Sequence, residues 1–174
     1  MKISFTFLFL MISSISFSQD NQLLITSHIK KLQNAKKYTL SIASTLGNEQ
    51  YEFKPMKSEL SFKEQLVHLG ENIYWLSSTY ISEIPNPLST NKPDVKKMDK
   101  QAVLIFIDEA YEYAISALSK LDTNTLSKEF KWSNGNLNKF QFLNLIQDHQ
   151  SHHVGQLIVY IRLNDVEPPK YIGW

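Results

Sequence analysis

Apolar residues return at alternating intervals of three and four along four separate stretches of this chain, and that period constrains the fold more than any other feature. At 3.6 residues per turn such positions share one helix face, so each stretch reads as an amphipathic helix with one side to bury. The first carries Leu24/Ile25, His28/Ile29, Leu32, Ala35, Thr39, Ile42/Ala43 and Leu46, and stops at Gly47-Asn48. Residues Glu49 to Leu60 hold Pro55 and no helical period, which predicts an extended connection. Ser61-Phe62-Lys63-Glu64 is a capping-box sequence, opening a second helix with Phe62, Leu66, Leu69, Ile73, Leu76 and Tyr80 on its stripe. Pro85-Asn86-Pro87 sets its limit, because proline has no N–H and crowds the preceding turn. A third pattern opens near Pro93-Asp94 and places Leu104, Ile107, Tyr111, Ala114, Leu118 and Leu121 on one face. A fourth runs from about Asn138 to Leu163 and stops at Asn164-Asp165, ahead of Pro168-Pro169. Between the last two, Phe130-Lys131-Trp132 followed by Ser133-Asn134-Gly135-Asn136 predicts a short hairpin. The expected fold is all-α, a single four-helix bundle with long inter-helix connections; an up-down threading is the simplest, and the connections leave it open.

Residues 1–18 read as a signal peptide, with the bundle domain occupying 19–174. Met1-Lys2 is a short positive start, Ile3 to Ile15 is apolar apart from small hydroxyl residues, and Ser16-Phe17-Ser18 offers small residues for cleavage after Ser18. The apolar run is shorter than the roughly 20 residues of a spanning helix. No stable membrane insertion is therefore expected after cleavage, and the location expected is periplasmic or secreted. With no cysteine, the chain has no disulfide, thiolate nucleophile or iron–sulfur cluster, and any metal must be held by His, Asp or Glu. Lys and Arg number 18 against 17 Asp and Glu, a net charge of +1 that offers no field for phosphates. No nucleic-acid partner is expected on that ground. The chain also lacks a Gly-rich phosphate loop, a G-x-S-x-G elbow and a dinucleotide fingerprint.

The chemistry lies in the histidines. Three of the five fall in Asp148-His149-Gln150-Ser151-His152-His153. At about 100° per residue, His149 and His153 point towards the core and His152 falls about 90° away. An i, i+4 pair can turn both rings onto one ion. A lone histidine on an apolar stripe is usually a hydrogen-bonded core residue. Two neutral imidazoles side by side must each find a donor for a lone pair, and one cation satisfies both. Gln156 lies near them on the same face. For a third ligand the candidates are His28, His68, Glu71 and Asp148, and periodicity does not choose among them. His28 is the more nearly aligned with its apolar face, whereas His68 sits on a shoulder with Gln65, Asn72 and Trp75.

The ordered set Tyr51-Glu52-Phe53-Lys54-Pro55, Ser61-Phe62, Gln65-Leu66-Val67-His68-Leu69, His149-Gln150-Ser151-His152-His153-Val154-Gly155-Gln156 and Leu163-Asn164-Asp165-Val166-Glu167-Pro168-Pro169 resembles the DinB-like family of metal-binding four-helix bundles. The likeness spans essentially the whole chain after residue 18. In that family three histidines bind a divalent ion, often zinc or nickel, one from the second helix and an i, i+4 pair from the last. Carried over, the resemblance implies His68, His149 and His153 as metal ligands and a zinc or nickel ion as cofactor. It also implies activities such as metal-dependent hydrolysis or thiol-dependent transfer on a small-molecule substrate, with a non-catalytic metal- or ligand-binding module as the alternative. A homodimer is left open, and no catalytic acid or base is named. Three neutral imidazoles leave a coordination position open, as in catalytic rather than structural zinc. Glu71, Asn72, Asp148 and Gln156 are the polar groups that could orient the rings.

Overall fold

The architecture comes from a computed structural model that describes residues 3–133 and 135–173, with side chains from residue 21 onward. The signal segment expected at 1–18 lies outside the residues whose side chains are described. Among the described residues no helix is long and apolar enough to cross a membrane. Four helices form the body: α1 (Ile3–Thr45), α2 (Phe62–Leu76), α3 (Lys100–Ser119) and α4 (Lys139–Leu163). A two-stranded antiparallel hairpin, β1 (Glu129–Trp132) and β2 (Gly135–Asn138), precedes α4 where the sequence predicts it.

Local chemistry explains the boundaries. Ser61 Oγ accepts from Glu64 N while Glu64 returns to Ser61 N, the capping box expected at the start of α2. Asn138 and Gln141 make the equivalent pair at α4. Beyond Leu76 the chain widens into a π-helix, Ser77–Ser82, which Glu83 ends with a left-handed φ of 56°. Two expectations are corrected. The connection after α1 is not wholly extended: Glu49–Glu52 forms a 3-10 turn, because buried Tyr51 donates its hydroxyl back to Ala43 O at 2.6 Å. The third helix does not begin at Pro93-Asp94; Asp94 caps only the single turn Val95–Lys97, Met98 is extended, and Asp99 provides the cap from which α3 grows.

The threading differs from a simple up-down bundle. Lys36 pairs with Asp108 and Glu112, and Lys100 Nζ donates to Ser44 O and Leu46 O, so α1 and α3 are antiparallel neighbours. Gln65 meets Gln156 and Tyr80 stacks on Phe142 with ring centroids 3.8 Å apart, so α2 and α4 are antiparallel as well. Gly70 lies against Phe106, and Tyr74 against Tyr113, which makes α2 and α3 parallel. The order is up-down-down-up. A parallel pair needs a long crossover, and 83–99 provides it. Gly70 permits the close α2–α3 contact, since a Cβ there would lie 2.6 Å from the Phe106 ring.

The predicted stripes form the core. Phe62, Leu66 and Leu69 of α2 meet Ile107 and Tyr111 of α3 and Phe142 and Leu157 of α4, none of them measurably exposed. Burying each such side chain contributes about 1.5–3 kcal/mol before the entropy of ordering is counted. One polar relay crosses this core: Thr39 on α1 donates to Tyr111 OH at 2.9 Å, and Tyr111 OH donates to Gln150 Oε1 on α4 at 2.6 Å. It satisfies three buried polar groups with one another and fixes the register of three helices.

Candidate metal centre

The antiparallel contact of α2 with α4 brings His68, His149 and His153 together, with one nitrogen of each ring inside a group spanning 4.8 Å. His149 and His153 are one turn apart on α4, and their rings converge because i and i+4 share a face. His153 is buried and His149 half-buried. His68 stands opposite, its ring centroid 4.8 Å from that of His153 and 5.8 Å from that of His149. The shoulder of α2 that carries it turns gradually outward: Gln65 is buried, His68 half-buried and Trp75 38% exposed. His68 is thus at the rim of the bundle, where it reaches α4 without lying on the main stripe of its own helix.

The ring nitrogens have defined roles. Gln156 Oε1 accepts from Gln65 Nε2 across the helix pair and lies 3.1 Å from His153 Nδ1. A carbonyl oxygen can only accept, so Nδ1 carries the hydrogen and Nε2 of His153 keeps its lone pair. That Nε2 lies 3.3 Å from His149 Nε2. Bonds of roughly 2.0–2.1 Å at the tetrahedral angle put two coordinating nitrogens roughly 3.3 Å apart. The α4 pair therefore already has the spacing that a shared cation needs. Without one, His149 Nε2 must carry a hydrogen and donate it to the His153 Nε2 lone pair. Burial, then the neighbouring His149, His68 and His152, pushes the His153 imidazole down to about 4. Burial, then His68 and His152, also holds His149 below the ordinary histidine range. Both rings are neutral at pH 7 and available as ligands.

The other sequence candidates separate cleanly. His152 is exposed, its ring beside that of His153 at 5.1 Å but outside the three-histidine group. His28 lies on α1 with its Nδ1 3.0 Å from Leu24 O of its own helix, away from the cluster. Asp148 is exposed on α4. Asn72 donates to His68 O at 2.9 Å and lies 3.1 Å from His68 Nε2. Glu71, one turn beyond His68, faces the adjoining cleft rather than the cluster. Gln65 was not singled out as a functional residue by sequence. Its signal was a glutamine one turn before His68, buried to 4% exposure.

A three-histidine group of this kind can hold a metal ion. Comparison with known proteins agrees with the architecture. A curated Bacillus subtilis (strain 168) protein, YjoA, described as uncharacterised, is 25% identical over 158 residues, which cover 88% of this chain and 96% of YjoA. The crystal structure of the DinB-like protein YjoA from Bacillus subtilis superposes with a TM-score of 0.69 at 19% identity, covering 84% of this chain and 98% of that one. A DinB-like protein from Bacillus cereus ATCC 10987 gives the same TM-score at 14% identity, over 83% of this chain and 95% of its own. The model of the DinB family matches residues 18–172, and this chain therefore belongs to the DinB family.

Proposed function

We propose that this protein is an exported, metal-dependent hydrolase of a small molecule, with His68, His149 and His153 holding a zinc or nickel ion. The observation that carries the reading is the convergence of three imidazole nitrogens from two helices within 4.8 Å, two of them already 3.3 Å apart. The donor set suits the ion: three neutral nitrogens favour zinc or nickel over magnesium or calcium, which prefer oxygen. When bound in an open three-histidine site, such an ion polarises a carbonyl and acidifies a coordinated water towards a pKa of about 7. The chain's own groups do the rest. Gln156, held by Gln65, keeps His153 in the tautomer that presents Nε2. Asn72 stands at the His68 ring on the open side, where the cleft lies. Hydrolysis needs only water as co-reactant. It suits a chain that the segment at 1–18 would export, away from cytosolic thiols.

The test has three readings. Elemental analysis of purified protein should show about one zinc or nickel per chain, lost in His149→Ala and in His153→Ala and kept in His152→Ala. Intact mass of the native product should begin at Gln19. Turnover of ester and amide panels should depend on the metal. Metal without turnover on any panel would establish a binding module instead, and full-length chain retained in cells would restore thiol transfer as the reading.

A further inference from the structure

His68 stands at the junction of two clefts that run along one face of α2. One, of about 370 Å³, lies towards Trp75 and Leu88; the other, of about 580 Å³, lies towards Leu60 and Lys96. His68, Glu71 and Lys92 line both, so the two are lobes of one groove walled by the 83–99 crossover. From Glu64 to Trp75 the groove follows α2 for roughly 16 Å at 1.5 Å per residue. Of the three histidines His68 is the one that lines this groove, near its middle rather than its end.

The two lobes differ in chemistry. In the first, Trp75 is 38% exposed and stacks on Trp132 at 5.7 Å, a rigid aromatic wall with Leu88 beside it. In the second, the charges nearly cancel: Lys54 pairs with Glu64, Lys97 with Asp94 and Lys92 with Glu71. Lys96 is left over, exposed on the groove and in no ion pair among the described residues. At the junction, Glu71 Oε1 is buried without a hydrogen-bond donor. Lys92 Nζ lies 3.3 Å away as an ion pair but out of hydrogen-bonding alignment. A buried acceptor in that state is stabilised when an N–H reaches it.

Apolar wall, N–H acceptor and lone cation follow one another along the groove. We propose that it binds an N-acyl amino acid: the acyl group against Trp75 and Leu88, the amide N–H on Glu71 Oε1, and the carboxylate at Lys96. This rests on the hydrolytic reading of the same site and names its substrate class. The amide carbonyl then lies over His68. Hydrolysis places the water oxygen on the acyl carbon, breaks the C–N bond and transfers a water proton to the departing amine, releasing a fatty or aryl acid and a free amino acid.

Binding of N-(4-phenylbutanoyl)glycine to the metal-loaded protein, followed by calorimetry and by tryptophan fluorescence, tests the assignment without relying on turnover. Three analogues each remove one contact: the glycinamide lacks the carboxylate, the glycolate ester lacks the N–H, and N-butanoylglycine lacks the ring. Each should bind about tenfold more weakly, the loss of one well-made polar or aromatic contact. Lys96→Gln should lower affinity for the acid about tenfold and leave the glycinamide unchanged, and Trp75→Leu should abolish the advantage of the ring. Acid and glycinamide binding equally, or an acid affinity indifferent to Lys96→Gln, would overturn the proposal. A chain that takes up no metal yet keeps the ring and carboxylate dependence would refute the metal centre and leave the groove standing. A chain that holds metal but does not discriminate among the four ligands would do the reverse.

Discussion

Replacing His68 by alanine separates the two sources from which a third ligand could come. The ring is half-buried, faces His149 and His153, and has Asn72 as its hydrogen-bonding neighbour, so truncation leaves the packed core intact. Its direct cost to the metal-free protein should be about 1 kcal/mol or less. The metal-linked term is larger. With free metal a hundredfold above its dissociation constant, binding stabilises the folded chain by about 2.7 kcal/mol. At about 2–4 °C per kcal/mol for a domain of this size, that is a Tm shift of roughly 5–11 °C on chelation. If His68→Ala weakens binding a hundredfold, the same relation leaves about 0.4 kcal/mol, roughly 1 °C. His28→Ala should keep the whole shift, because His28 meets only Leu24 O on its own helix. Scanning calorimetry with and without chelator, at matched protein and zinc concentrations, reads all three proteins. A full chelator shift in His68→Ala together with its loss in His28→Ala would place the third ligand on α1 and refute the reasoning.

Three other outcomes follow from the geometry. Gln156→Ala should retain the three histidines but lose about 10–100-fold in metal affinity by calorimetric titration, because His153 Nδ1 loses its acceptor; unchanged affinity would show that the tautomer is not set there. Tyr111→Phe should destabilise by about 1–3 kcal/mol in urea, since Thr39 and Gln150 Oε1 lose their shared buried partner; a neutral effect would mean the relay is replaced by other partners. Metal-free protein should lose stability as the pH falls from 6.5 towards about 4: the unfolded chain protonates His153 at its ordinary value of 6.5 and the folded chain only near 4, so protons favour unfolding in that window. Urea midpoints against pH should show a slope there that is smaller in His153→Gln, and an equal slope in both would remove His153 as the cause.

Much of this was legible because it is local. The capping box at Ser61, the stop at Asn164-Asp165 and the hairpin before α4 each depend on residues within a turn of one another. The His149/His153 pair is also local, one turn of one helix. The threading was not legible, because α2 and α3 lie parallel through the non-periodic crossover 83–99, within which Asn86 and Asp94 each cap only a single turn. Nor could spacing choose His68. A helix that touches two neighbours buries a shoulder as well as a stripe, and which shoulder depends on where α4 arrives. The Thr39–Tyr111–Gln150 relay hid for the opposite reason: all three residues lie on or beside stripes where a sequence shows only amphipathic period.

The link between Gln65 and Gln156 joins residues 91 apart in sequence. Long loops close slowly, and contacts of this separation are among the later ones to form during folding. The complete three-histidine group therefore does not exist until α2 and α4 have docked, and an unfolded chain offers a metal only the neighbouring pair on α4. A ligand that grips a late-forming contact acts on escape from the native state. Zinc should accordingly leave the refolding rate nearly unchanged and slow unfolding, prolonging the lifetime of the folded chain more than it changes its speed of assembly.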